Sequence, residues 1–206
     1  MKTSKISSVH KNFSAFGGLI VLDNLIAKSS WKLELQDILP KQGSESSFRK
    51  FKNIVFGFAA GASCLDDLDM LKRDPVLEQK IGKSYSAKSC GDFLRAFSKT
   101  QCKELNQVLA RQSFSYRQEL FPESKSITLD IDSTKNRQYA QKMEGVCMSY
   151  QGYECLDSLH VFDEHGLPYW HDVRPGNTHT SSGCLETLHR IWSQLPKNSY
   201  YKKGHY

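Results

Sequence analysis

The chain has 206 residues, with 28 Lys/Arg against 22 Asp/Glu and a formal net charge of +6. Its 39% hydrophobic residues suffice for a packed core in one large or two small domains, which excludes an intrinsically disordered chain. The uncharged stretch Ile54–Leu65 is too short to cross a bilayer, and MKTSKISSVHKNFSAFGG at the N-terminus lacks the apolar core of an export signal. The expectation is a cytoplasmic protein with no membrane partner. Its cysteines, at positions 64, 90, 102, 147, 155 and 184, form no CxxC pair. They read as reduced thiols rather than a disulfide framework or a zinc site.

Charge is unevenly distributed. Residues 1–120 carry 19 Lys/Arg against 12 Asp/Glu, whereas residues 121–206 carry 9 against 10. A basic part joined to a near-neutral part suits a polyanion-binding region beside a region with another task, although a solvated basic surface fits the charge equally well. Two domains are therefore expected, 1–120 and 121–206.

In chain order, Leu19, Leu22 and Leu25/Ile26 fall at helical spacing, and Trp31, Leu35 and Ile38/Leu39 continue an amphipathic pattern up to Pro40. KQGSESS (41–47) reads as a loop. Phe48, Phe51 and Val55 begin another helical face. Ser63-x-x-Asp66 and Ser89-x-x-Asp92 have the form of helix starts, and Asp74-Pro75 of a helix stop. A long polar helix is expected over 100–118. The first 120 residues thus read as helices joined by short turns, and short helices in a basic segment suit a helix-turn-helix DNA binder.

The pattern changes after Phe121-Pro122. Ile127, Leu129 and Ile131 alternate with Thr128, Asp130 and Asp132, the period of a strand with one apolar face. Cys155–Phe162 and Leu167–Val173 read as two further strands forming a hairpin around DEHG (163–166). A helix is expected over 182–195, with Leu185, Leu188, Trp192 and Leu195 on one side. The fold class is α+β: a helical region followed by a mixed sheet whose next strand should follow the last helix.

Asp130 and Asp132 project from one strand face about 7 Å apart. Such a pair can hold a divalent ion, since Mg²⁺ takes oxygen ligands and is held by one or two carboxylates plus substrate phosphate. It can equally be a solvated polar face. His160, His165, His171 and His179 are expected on alternating faces of the hairpin, as surface residues that do not converge. Asp163, Glu164 and Asp172 read as turn or surface residues. Lys135 and Arg137 follow the carboxylates and can steer a DNA backbone. Arg174 and Asn177 can contact phosphate, although Pro-Gly-Asn is first of all a turn.

LDIDST (129–134), Gly152-Tyr153 and Arg174-Pro175-Gly176-Asn177 together resemble the DDE transposases of bacterial insertion sequences. GASCLDDLDMLKRDPVLEQKIG (61–82) and SAKSCGDFLRAF (86–97) resemble segments of the same family, in the same order. The resemblance implies a ribonuclease-H-like core and Mg²⁺ or Mn²⁺ as cofactor. It implies double-stranded DNA with terminal inverted repeats as partner, and a homodimer or a heterodimer with a full-length relative. Asp132, directly before Ser133-Thr134, matches the family's first catalytic aspartate and metal ligand, with Asp130 as the fallback. A second aspartate belongs on the strand after the 182–195 helix, where this chain reads YYKKGHY with His205 near its place, and a third acidic residue belongs far downstream. The resemblance therefore implies a DNA-associated bacterial protein that is a truncated, inactive copy. A non-catalytic DNA-binding protein or repressor of a full-length transposase is the alternative, and a small self-contained metal-dependent phosphodiesterase a third.

Overall fold

A computed structural model describes residues 14–41, 44–140 and 142–196. The expected continuation at Tyr200–Tyr206, His205 included, lies outside the described residues. The chain divides into two compact units, Met1–Cys102 and Lys103–Tyr206.

The first unit is helical: α1 (Gly18–Lys28), α2 (Trp31–Leu35), α3 (Ser44–Ala59), a 3-10 turn (Asp66–Leu68), α4 (Asp69–Lys72), α5 (Pro75–Ile81) and α6 (Ala87–Arg95). Leu19, Ile26, Phe56, Leu71 and Leu77 form one buried cluster, and Ala62, Leu68 and Cys90 form another. Four local expectations are corrected. The serine-rich stretch before Phe48 is already helical from Ser44. Asp74-Pro75 does not only stop a helix. Asp74 caps α5 by accepting from the N–H groups of Val76 (3.1 Å) and Leu77 (2.9 Å), and Pro75 occupies the first helical turn, where its missing N–H costs nothing. The cap of α6 is Ser86, which accepts from Ser89 N–H at 3.2 Å, so the helix starts earlier than the Ser89 box suggested. At the Ser63 box the roles are reversed. The Asp67 carboxylate accepts from Ser63 N–H (2.8 Å), Ser63 Oγ (2.9 Å) and Cys64 N–H (3.1 Å).

The division between the units falls just inside α7 (Lys99–Leu120), whereas the change in sequence pattern marks that helix's end. The second unit contains β1 (Leu129–Arg137), β2 (Cys147–Met148), β3 (Glu154–Asp163), β4 (Pro168–Pro175) and α8 (Cys184–Trp192). β3 is central. It pairs antiparallel with β1 along one edge, from Leu129↔Asp163 to Arg137↔Cys155, and with β4 along the other. β2 adds two residues opposite Cys155 and Glu154. All strand pairs among the described residues are antiparallel.

Ala110 and Phe114 of α7 and Ile191 of α8 cluster with Val161, Tyr169 and Trp170 of the sheet, and Ile127, Leu129 and Ile131 pack against them. The α8 stripe is shifted from expectation: Thr187 and Ile191 are buried, while Leu185 is 59% exposed. The edge of β4 is closed by Asn106 of α7. Its side chain accepts from His171 N–H (2.9 Å) and donates to the His171 carbonyl (2.7 Å), occupying backbone groups that an edge strand would otherwise leave open. No helix among the described residues is long and apolar enough to cross a membrane.

Candidate active site on the first strand

The period of two along β1 assigns its residues to opposite faces. Leu129, Ile131, Ser133 and Lys135 are partly buried on the inner face, while Asp130, Asp132, Thr134 and Asn136 are exposed on the outer one. Asp130 and Asp132 therefore share a face, as expected. One Asp132 oxygen accepts from Ser133 N–H at 2.8 Å. Neither aspartate has a cationic partner in the described structure.

Asp132 stands opposite His160 of β3, and His160 stands opposite His171 of β4. The two imidazoles meet, Nδ1 to Nδ1 at 3.1 Å. The expectation that the histidines stay apart fails for this pair, because cross-strand partners share a face. Burial, and then the neighbouring His160, push the pKa of His171 below its ordinary value against the pull of Asp172. The other two do stay apart: His165 stacks on Phe121 at 3.7 Å and His179 bonds Ser181 Oγ at 2.9 Å.

The inner face is occupied by a closed ion network. Lys135 Nζ lies 2.9 Å from Asp157 Oδ1, and Arg174 Nε donates to Asp157 Oδ2 at 2.7 Å. One further donor of each cation reaches a backbone carbonyl, Lys135 to Thr178 (2.7 Å) and Arg174 to Ser182 (2.5 Å). Asp157 is completely buried, and Lys135 and Arg174 nearly so. Burial raises the Asp157 carboxyl, but the hydrogen bonds from Lys135 and Arg174 outweigh it and hold the pKa below the ordinary value. The charges of Lys135 and Arg174 are thus spent inside the fold. Asn177 and Arg137 remain exposed. Asn177 lines a recess of about 530 Å³ together with Lys135, Ser149, Tyr150 and Thr178, and Arg137 lies against Tyr139 and Tyr153. The Gly176 of the Arg174–Asn177 turn is required by close approach. A Cβ there would come within 2.0 Å of the Cys155 carbonyl oxygen.

A second buried network holds the start of β1 and corrects the reading of Asp163 as a surface residue. Arg117 of α7, fully buried, donates to Asp163 Oδ2 at 2.7 Å, to Ser124 Oγ and the Ser126 carbonyl at 2.9 Å each, and to Glu164. Glu164 in turn accepts from Thr128 N–H at 3.0 Å. The segment leading into the aspartates is thereby tied to α7 and to the β3–β4 turn. Arg117 follows Ala110 and Phe114 at helical spacing, which is the one sequence signal that could have placed it inward.

In the first unit, Lys32, Arg49 and Lys52 line a recess of about 410 Å³ with Ile26, Ala27 and Phe48. Arg49, Lys52 and Lys83 line an adjoining one. Lys52 is paired with Asp23.

The family model for transposase DDE domain group 1 matches residues 5–203. The chain belongs to this transposase family. Neither the curated proteins nor the solved structures contain a match. Membership implies a ribonuclease-H-like fold, to which the α+β unit with its antiparallel β1, β3 and β4 conforms, and an activity in DNA transposition that uses divalent metal ions. The donor set of this transposase chain fits such an ion in kind, because Asp130 and Asp132 offer hard oxygen ligands on an open face. It does not complete a cage, since among the described residues no three His, Cys, Asp or Glu side chains form a metal-sized group.

Proposed function

We propose that the chain is the DNA-handling part of an insertion-sequence transposase. In this reading Asp132 is the first-strand carboxylate of the phosphoryl-transfer site, and Asp130 lies beside it as co-ligand or substitute. The observation that carries the reading is the position of Asp132. It stands exposed on the first strand of the sheet, without a cation among the described residues, in a chain matched almost throughout by the transposase family.

A divalent ion, Mg²⁺ or Mn²⁺, supplies when bound the charge that activates a water or 3′-hydroxyl and stabilises the leaving oxygen. The chain's own part is to present oxygens in a fixed place. Ser133 N–H holds one Asp132 oxygen and leaves the other open, and pairing to β3 fixes the strand. Lys135 and Arg174, placed in the sequence as DNA contacts, act in this reading as positioning residues through Asp157, while Arg137 and Asn177 keep the role of DNA contacts. The helical unit binds the duplex of the terminal inverted repeats. Lys32, Arg49 and Lys83 along its two recesses are the phosphate contacts, and a second transposase copy is the protein partner.

The want of a third donor among the described residues favours a second reading for the 206-residue polypeptide taken alone: it occupies DNA without cutting it. The test is a pair of assays on DNA carrying the element's ends. Binding of the full chain should weaken steeply with salt as counterions are released, and with Mn²⁺ it should neither nick nor join. Salt-independent binding would refute the duplex-binding reading. Nicking that disappears in Asp132→Ala would show that these residues suffice for catalysis, and nicking that survives that substitution would remove Asp132 from the site.

A further inference from the structure

Beyond Asp132 the sheet ends in a cluster that neither the metal site nor a phosphate contact requires. The last residue of β1, Arg137, has its guanidinium carbon 5.5 Å from the ring centre of Tyr139 and 5.6 Å from that of Tyr153. Tyr139 is 82% exposed. Beside it the turn joining β2 to β3 is closed by Ser149 N–H to the Tyr153 carbonyl (2.9 Å) and by Gly152 N–H to the Ser149 carbonyl (3.1 Å). Gly152 takes φ +81° there, a conformation that favours glycine. Tyr150 at the tip is 84% exposed. It is nevertheless tethered: Tyr153 Oη donates to Gln151 Oε1 at 2.5 Å, and Gln151 Nε2 donates to Tyr150 Oη at 3.1 Å.

Two exposed rings are thus presented to water: Tyr139 against the Arg137 cation, and Tyr150 linked to it through Gln151 and Tyr153. Large aromatic side chains yield their binding energy only when covered, so the cluster is a surface awaiting a flat partner. The charge selects that partner. With Lys135 spent on Asp157, residues 136–153 carry Arg137 and Lys142 against Glu144, and the Arg137 cation, stacked on rings, suits a polyanion. Every nucleobase has a π-face that stacks on tyrosine and arginine, whereas the bases of an intact duplex are already stacked and out of reach. Arg137 is the exposed last residue of the strand, about 17 Å past Asp132 along it and of the opposite parity, so the cluster is a surface separate from the carboxylate face.

We propose that Tyr139, Tyr150 and Arg137, braced by Tyr153 and Gln151, form a stacking platform for the unpaired bases of a single DNA strand. The inference rests on the transposition reading for the identity of the polymer, and on the exposed rings for the mode of binding.

Fluorescence anisotropy on the full chain tests it with two probes of equal length, a single-stranded oligothymidylate and a duplex. A 2-aminopurine in the single strand reports stacking by quenching. The chain should bind the single strand with quenching, and Tyr139→Ala and Tyr150→Ala should each weaken that binding roughly tenfold while leaving duplex affinity and the unfolding midpoint unchanged. Tyr139→Phe and Tyr150→Phe should keep it. Absent single-strand binding, binding indifferent to both alanine variants, or an equal loss on single strand and duplex would overturn the platform. So would a loss of self-association in sedimentation with single-strand binding intact, which would make the patch a protein interface. The platform and the transposition reading fail separately. Duplex binding with no tyrosine-dependent single-strand binding removes only the platform, and tyrosine-dependent single-strand binding with no duplex binding removes only the terminal-repeat reading.

Discussion

On the inner face of β1, Lys135 and Arg174 meet Asp157 in a network whose charges are paired, each cation also donating to one backbone carbonyl. On the outer face, three and five residues back along the same strand, Asp132 and Asp130 stand exposed, with no cation beside them among the described residues. The difference separates two uses of charge. A buried ionic group must be compensated within the fold, because desolvation costs several kcal/mol per ion. An exposed pair of like charges is compensated only from outside, which is what a site for a cation and a phosphate requires. The inner network therefore belongs to stability, and the outer pair is the one we propose for chemistry.

Breaking the buried networks should give the largest effects. Arg117→Met leaves Asp163 buried without its cation, and the chain should lose about 3–5 kcal/mol of unfolding free energy in urea melts. Loss below about 1 kcal/mol would mean that water already reaches the pair. Arg174→Met leaves Asp157 with Lys135 alone, and about 3 kcal/mol should go. Gly176→Ala drives a Cβ against the Cys155 carbonyl oxygen and should cost about 2 kcal/mol, through a shift of the loop that carries Asn177.

The pH dependence sharpens the same contrast with a smaller signal. Burial raises the Asp157 carboxyl, and the bonds from Lys135 and Arg174 lower it further than burial raises it, to a folded pKa below the unfolded one. A group depressed in this way contributes its full stability above its unfolded pKa and loses it as pH falls through the folded value. Acid titration of the unfolding midpoint should therefore show a fall that begins in the ordinary carboxylate range, where the unfolded chain takes up the proton, and continues down to the folded pKa, and Asp157→Asn should flatten it. A fall of equal size in both proteins would assign the acid sensitivity elsewhere. Asp132→Ala should move the midpoint least of all, since its side chain is exposed and its one hydrogen bond is to the next residue.

The alternation Ile127, Leu129, Ile131 was enough to place Asp130 and Asp132 together on an exposed face, because a strand has only two faces and one must be apolar. The same parity puts Ser133 and Lys135 on the inner face. That was not drawn from the sequence, since a lysine at the polar end of a strand carries no sign of the aspartate it will meet on another strand. Arg117 was hidden for the same reason within a helix of mostly polar residues, and His160 and His171 because their meeting depends on the hairpin's register. Helix starts were legible in kind but misplaced, as at Ser86 and Asp74, where several Ser and Asp residues compete for the cap and only the backbone decides among them. The tyrosine cluster depends on a turn whose two-residue strand, β2, is too short to leave a periodic signal.

The assignment of the metal to the outer face is tested most directly by titrating the ¹⁵N-labelled full chain with Mn²⁺ and following paramagnetic broadening of backbone amides. Broadening should centre on Asp130–Ser133 and on the facing residues His160–Phe162, and should vanish from them in Asp132→Ala while the unfolding midpoint stays where it was. Broadening centred on Asp163 and Glu164, or a pattern unchanged by Asp132→Ala, would contradict the placement of the site on the first strand.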